Sequence, residues 1–113
     1  KEETLMGRYI TSTLSYATVT VTTAISYQAK TNDRVICTAG SITITLPPVA
    51  DAVAGDTVQI VDVGGNAGAN NITVARNGAL IQGASSNLTI DINNTAPVLV
   101  YTGATHGWVL TGS

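Results

Sequence analysis

Along residues 41–92, apolar and polar positions alternate in short runs divided by turns of Gly, Asn, Asp, Pro and Ala. In residues 41–46 (SITITL), Ile42, Ile44 and Leu46 fall on one side of an extended chain and Ser41, Thr43 and Thr45 on the other. The same two-residue period holds for Val58 and Ile60, for Ile72 and Val74, and for Leu88, Ile90 and Ile92. Half-buried strands and an all-β fold follow.

Turn signals divide the chain further. A strand over residues 34–38 and one over 41–46 are predicted to form a hairpin through Ala39-Gly40, and Pro47-Pro48 ends the second because proline lacks the ladder donor. Residues 49–54 suit a single helical turn. Residues 56–63 read as the next strand, and residues 64–71 (GGNAGANN) as a long connection. Asn77-Gly78 is the favoured pair for a two-residue hairpin turn. Strands over 79–82, 87–92, 97–102 and 108–111 complete a meander. The intervals are too irregular for a β-helix with coils of one length. The expected architecture is therefore an antiparallel β-sandwich or jelly-roll-like module over residues 26–113. Before it, residues 1–25 read as an N-terminal arm or linker with a Thr-rich extended segment. In the tract 11–28, Val19, Val21, Ile25 and Tyr27 are the expected inward residues, with a bend or bulge at Thr22-Thr23.

Composition narrows the function. A chain of 113 residues, 44% hydrophobic, has room for one core and one domain. Charged residues are 11% and the net charge is −2, so no basic field exists to track phosphates or anionic lipid. Nucleic acid and membrane are not expected partners. Thr, Ser, Asn, Gly and Ala carry the surface instead. Such groups are buried between copies at smaller cost than ions, although Thr is also simply favoured on strands. No apolar run is long enough to span a bilayer, and the N-terminus lacks the blocks of a signal peptide. A soluble piece of a longer protein is expected, since the chain begins at Lys1.

Candidate chemistry is sparse. Cys37 is the single cysteine and lies between apolar neighbours, and the single histidine, His106, is far along the chain in a glycine-flanked turn. The Gly64–Gly68 stretch follows a strand as a phosphate loop would, but no Lys-Ser/Thr pair and no helix follow. The carboxylates are scattered singly at strand ends, where Asp forms turns and accepts local hydrogen bonds. Asp62 with Asn66, Asn70 and Asn71 could supply a weak calcium site, against a plainer reading as turn formers. Three Asn-X-Thr triplets, at Asn71, Asn87 and Asn93, match the glycosylation sequon but read as turns leading into strands in an Asn- and Thr-rich protein. Trp108, with Leu110 two residues on, reads as a core or interface anchor, not an exposed stacking platform for sugars. No catalytic, metal or cofactor residues are assigned. The exposed turns offer Asn66, Asn70, Asn71 and His106 as candidate contacts to a surface glycan.

Residues 33–36 (DRVI), 42–48 (ITITLPP), 55–74 (GDTVQIVDVGGNAGANNITV), 77–84 (NGALIQGA) and 99–110 (LVYTGATHGWVL), in that order and spacing, resemble the small β domains at or near the C-termini of bacteriophage tail fibres and tailspikes. Similar modules occur in head fibres and capsid decorations. The resemblance implies a non-enzymatic homotrimer on the virion exterior that closes or tips a fibre, joined to an upstream fibre region and available to host cell-surface polysaccharide. It also implies that Tyr27, Leu46, Ile60, Ile72, Ile81 and Trp108 lie in the packed interior. A trimeric capsid decoration or head-fibre protein is the alternative within structural proteins, and a stand-alone carbohydrate-binding module is the alternative of another class.

Overall fold

In a computed structural model of the chain, residues 18–111 are described. They form nine strands: β1 (Val19–Thr23), β2 (Tyr27–Gln28), β3 (Asp33–Cys37), β4 (Thr43–Thr45), β5 (Thr57–Asp62), β6 (Ile72–Ala75), β7 (Leu88–Ile90), β8 (Val98–Tyr101) and β9 (Trp108–Thr111). A single 3-10 turn, Val49–Asp51, follows Pro48 where the sequence admits a helical turn. The fold is all-β, in two mixed sheets. One holds five strands in the order β1-β3-β5-β8-β9 and the other four in the order β2-β4-β6-β7.

The antiparallel expectation is corrected by the pairing. From β1 to β6 the chain alternates between the sheets, and each strand lies parallel to the one two before it. Only β5–β8, β8–β9 and β6–β7 are antiparallel. The first six strands thus wind as rungs, the course that unequal turn spacing argued against. Val19 lies beside Asp33 and Arg34 beside Gln59, steps of 14 and 25 residues. Ala39-Gly40 is accordingly no hairpin turn but a corner that carries the chain across the core. Gly40 packs so close to Asn70 that a Cβ there would collide with the Asn70 carbonyl oxygen, and Ser41 N–H donates to that oxygen at 3.1 Å.

Two further expectations change. Asn77 and Gly78 take the positive φ angles of the anticipated turn, 49° and 92°, but β6 pairs with β7 across a longer loop. Residues 79–82 form no strand; Ile81 makes isolated bridges to Ala84 and Trp108. Val19 and Ile25, expected inward, are 54% and 72% exposed. Val19 lies on an edge strand, and Ile25 falls in the bend after β1, near the predicted break, so neither is enclosed by a further rung of the described residues. Of the arm assigned to residues 1–25, residues 1–17 lie outside the described part; residues 19–23 pair with β3 as an edge strand.

Alternation along each strand directs one set of side chains from both sheets into a common core. Val35, Val58, Ile60 and Leu99 from the five-stranded sheet meet Ile44, Ile72, Val74 and Ile90 from the four-stranded one, with Leu46 and Trp108. Each large aliphatic so enclosed contributes about 1.5–3 kcal/mol. Leu46, Ile60, Ile72 and Trp108 are fully buried and Ile81 nearly so. Tyr27 is half-buried and packs against the margin of the core, its hydroxyl donating to Asp33 at 2.8 Å.

Candidate functional site

Three buried aspartates organise the loops that could carry function: Asp33, Asp56 and Asp62. Asp33 accepts the Lys30 N–H, and Asp56 accepts the Val53 N–H, both at 2.8 Å. Asp62 ends β5 with its side chain turned inward beside Cys37. Its carboxylate accepts backbone N–H groups from Asn66 at 3.3 Å, Ala67 at 3.0 Å and Asn94 at 3.1 Å. Burial pushes the Asp62 pKa up, and backbone N–H donors from Ala67, Asn94, Asn66 and Gly65 outweigh it, leaving the pKa below the usual carboxylate value. The arrangement gathers positive N–H dipoles about one anion, so a cation would have to displace them. Among the described residues no group of three or more His, Cys, Asp and Glu could hold a metal ion.

The Asp62 anchor ties residues 64–67 to the loop after β7. Gly68 N–H donates to Asn93 Oδ1 at 2.7 Å, and Asn94 Nδ2 donates to the Asp62 carbonyl at 3.4 Å. The backbone of the connection is thereby fixed while Asn66, Asn70, Asn71, Asn93 and Asn94 remain exposed. Sequence reasoning found the first three and missed the last two, because Asn93 and Asn94 reach this end of the sheet through the pairing of β8 with β5, which continues in the Asp62 N–H to the Thr95 carbonyl at 2.9 Å. Their Asn-Asn-Thr context carried only a turn signal.

His106 does not join them. It is exposed at the tip between β8 and β9, in a turn closed by the Gly107 N–H to the Gly103 carbonyl at 2.8 Å. Because β8 runs antiparallel to β5, its Tyr101 end lies at the start of β5, whereas Asp62 lies at the finish. The two candidate loops therefore occupy opposite ends of the five-stranded sheet, roughly 20 Å apart along a six-residue strand. They form two surfaces, not one site.

The aromatic residues late in the chain face inward. Trp108 is fully enclosed, and its ring is tilted against Tyr101 at 5.3 Å between centroids. Neither offers an open face on which a sugar could stack. A shallow groove of about 200 Å³ lies between edge strands β7 and β9, lined by Leu88, Ile90, Ile92, Pro97 and Leu110 with Thr89, Asp91 and Thr95. Cys37 is buried, and enclosure followed by the nearby Asp62 charge pushes its thiol up to about 11, so it is not a thiolate near neutral pH. No helix of the described residues is long and apolar enough to cross a membrane.

No family model matches the sequence, and a search of the curated proteins finds no relative.

Proposed function

We propose that the chain is a non-enzymatic structural module of a phage virion, a trimeric β domain of a tail fibre or tailspike that holds copies together and presents one end to host-surface glycan. The two sheets about one core are read as a sandwich-like unit whose edges and faces serve assembly. The observation that supports presentation is the loop 64–71: its backbone is pinned to buried Asp62, and its asparagine amides are left outside. A rigid loop with exposed amides suits hydrogen bonding to sugar hydroxyls, since little conformational freedom is lost on contact. With Tyr101 and Trp108 buried, a stand-alone carbohydrate-binding module would have to work without stacking on either.

The reading is tested by solution mass and by adsorption. The protein is expected at three times 11.5 kDa in light scattering at micromolar concentration. The double substitution Asn66→Ala with Asn70→Ala is expected to weaken binding to host cells or glycans, with stability changed by only about 0.5 kcal/mol or less. His106→Ala, at the far end, serves as the comparison and is expected to leave binding intact. A monomer in solution overturns the assembly reading; undiminished adsorption of the double variant moves recognition away from this loop.

A further inference from the structure

Asn77-Gly78 is the one Asn-Gly pair in the chain, and it turns the backbone between Arg76 and Ala79, the Ala79 N–H donating to the Arg76 carbonyl at 3.2 Å. With φ angles of 49° and 92°, both central residues are left-handed, a conformation that Gly adopts freely and Asn more readily than most residues with a side chain. The Asn77 side chain reaches away from its own turn. Its Nδ2 donates to the Leu46 carbonyl at 2.9 Å, while the Asn77 backbone carbonyl accepts the Val49 N–H at 3.3 Å. The turn is thus tied to the corner at Pro47-Pro48 by which the chain leaves β4. Gly78 lies against the same corner, where a Cβ would stand 3.1 Å from Val49 Cγ1.

The pair also brings together the parts of a reaction. A glycine nitrogen has no side chain beside it to hinder its approach to the preceding Asn amide carbon. Gly78 is exposed, and among the described residues its N–H donates to no acceptor, so the nitrogen is free to act. We propose that Asn77-Gly78 is a site of self-modification, at which the Gly78 backbone nitrogen displaces the Asn77 side-chain amide and the residue becomes aspartate or isoaspartate. The nitrogen bonds to Asn77 Cγ, the Cγ–Nδ2 bond breaks, and the Gly78 amide proton leaves with the amide as ammonia, closing a succinimide ring. Water then opens the ring at either carbonyl. Its hydroxyl stays on the new carboxyl group and its other hydrogen goes to the ring nitrogen, which becomes a backbone N–H again.

The fold opposes the first step. The Asn77 amide must turn from Leu46 before Cγ can meet the Gly78 nitrogen, and opening one ordinary hydrogen bond beforehand slows ring closure by roughly two- to tenfold. The product, once formed, opposes the fold. Aspartate lacks the Nδ2 donor and sets a carboxylate beside the Leu46 carbonyl, which keeps only the Gln28 Nε2 donor at 3.0 Å. Isoaspartate adds a methylene to the backbone of a turn that Val49 already touches. Either product unties the corner that leads from β4 through the 3-10 turn to β5. The exposed amides of Asn66, Asn70 and Asn71 are poorer substrates, since the nitrogen that would attack belongs to Ala67, Asn71 or Ile72 and has a side chain beside it. That of Ala67 also donates to Asp62 at 3.0 Å.

Peptide mass mapping of the full chain, aged at mildly alkaline pH in oxygen-labelled water with and without urea, reads site and rate together. Labelled aspartate and isoaspartate are expected at position 77 before any other asparagine, and more slowly in the folded sample than in urea by the factor given above. Asn77→Asp is expected to melt below the parent. A second reading needs no variant: the aged parent is expected to develop a lower melting transition that grows with the labelled fraction. Label appearing first at another asparagine overturns the site. Equal rates with and without urea overturn the restraint by Leu46, and an aged, labelled protein that melts as the fresh one does overturns the link to the corner.

Discussion

Asp62 shows how one buried side chain sets the geometry of an exposed loop. Taking a carboxylate out of water is costly, and here three backbone hydrogen bonds from residues 66, 67 and 94 offset the cost. Because the folded chain favours the ionised form more than the unfolded chain does, this contribution is complete above the ordinary carboxylate range. It is lost as pH falls through the lowered pKa of the folded state. Asp62→Asn replaces one acceptor oxygen by a donor facing N–H groups, and is expected to cost about 1–3 kcal/mol at neutral pH. Urea unfolding across the acid range checks this: the gap between parent and variant is expected to narrow as Asp62 is protonated. A gap of constant size would mean that the carboxylate charge contributes nothing.

At the scale of the elements, Gly40 distinguishes a rung from a hairpin. In a solvent-exposed hairpin turn an alanine would be tolerated, but here the corner lies against the Asn70 carbonyl, where a Cβ has no room. Gly40→Ala is expected to destabilise the chain by about 1–3 kcal/mol, the usual cost of overpacking. Thermal unfolding measures it, and an unchanged melting temperature would speak for the hairpin. The two-residue period made the strands readable because it reports which face of a strand is buried. It reports nothing about the partner. β8 and β9 and the single helical turn at Val49–Asp51 could be placed from local signals, while the parallel pairing of β1 to β6 rests on contacts between distant residues. The rungs are of unequal length because the 3-10 turn with its flanks and the loop 64–71 are inserted between strands, and that hid the repeat. The candidate site divided in the same way: the loop 64–71 was visible as Gly and Asn, whereas the arrival of Asn93 and Asn94 and the remoteness of His106 depend on sheet order.

For the whole molecule, two sheets whose edges are open among the described residues pose the problem of what prevents indiscriminate pairing. β1 and β2 form one pair of edges, and β7 and β9 the other. Exposed edges template association unless they are covered or charged, and with 11% charged residues this chain relies little on charge. The self-association proposed above offers a route to stability that needs neither disulfides nor ion pairs. It has a thermodynamic signature. If copies bind only when folded, dilution draws the equilibrium towards unfolded monomer, so the melting temperature must rise with protein concentration. Salt should matter little, since screening acts on charges and only 11% of the residues are charged. Differential scanning calorimetry at two concentrations about tenfold apart, each at low and high salt, is expected to show a higher melting temperature in the concentrated sample and little change with salt. A melting temperature independent of concentration would mean that the folded unit is stable without its copies. A strong salt effect would mean that charged groups govern assembly.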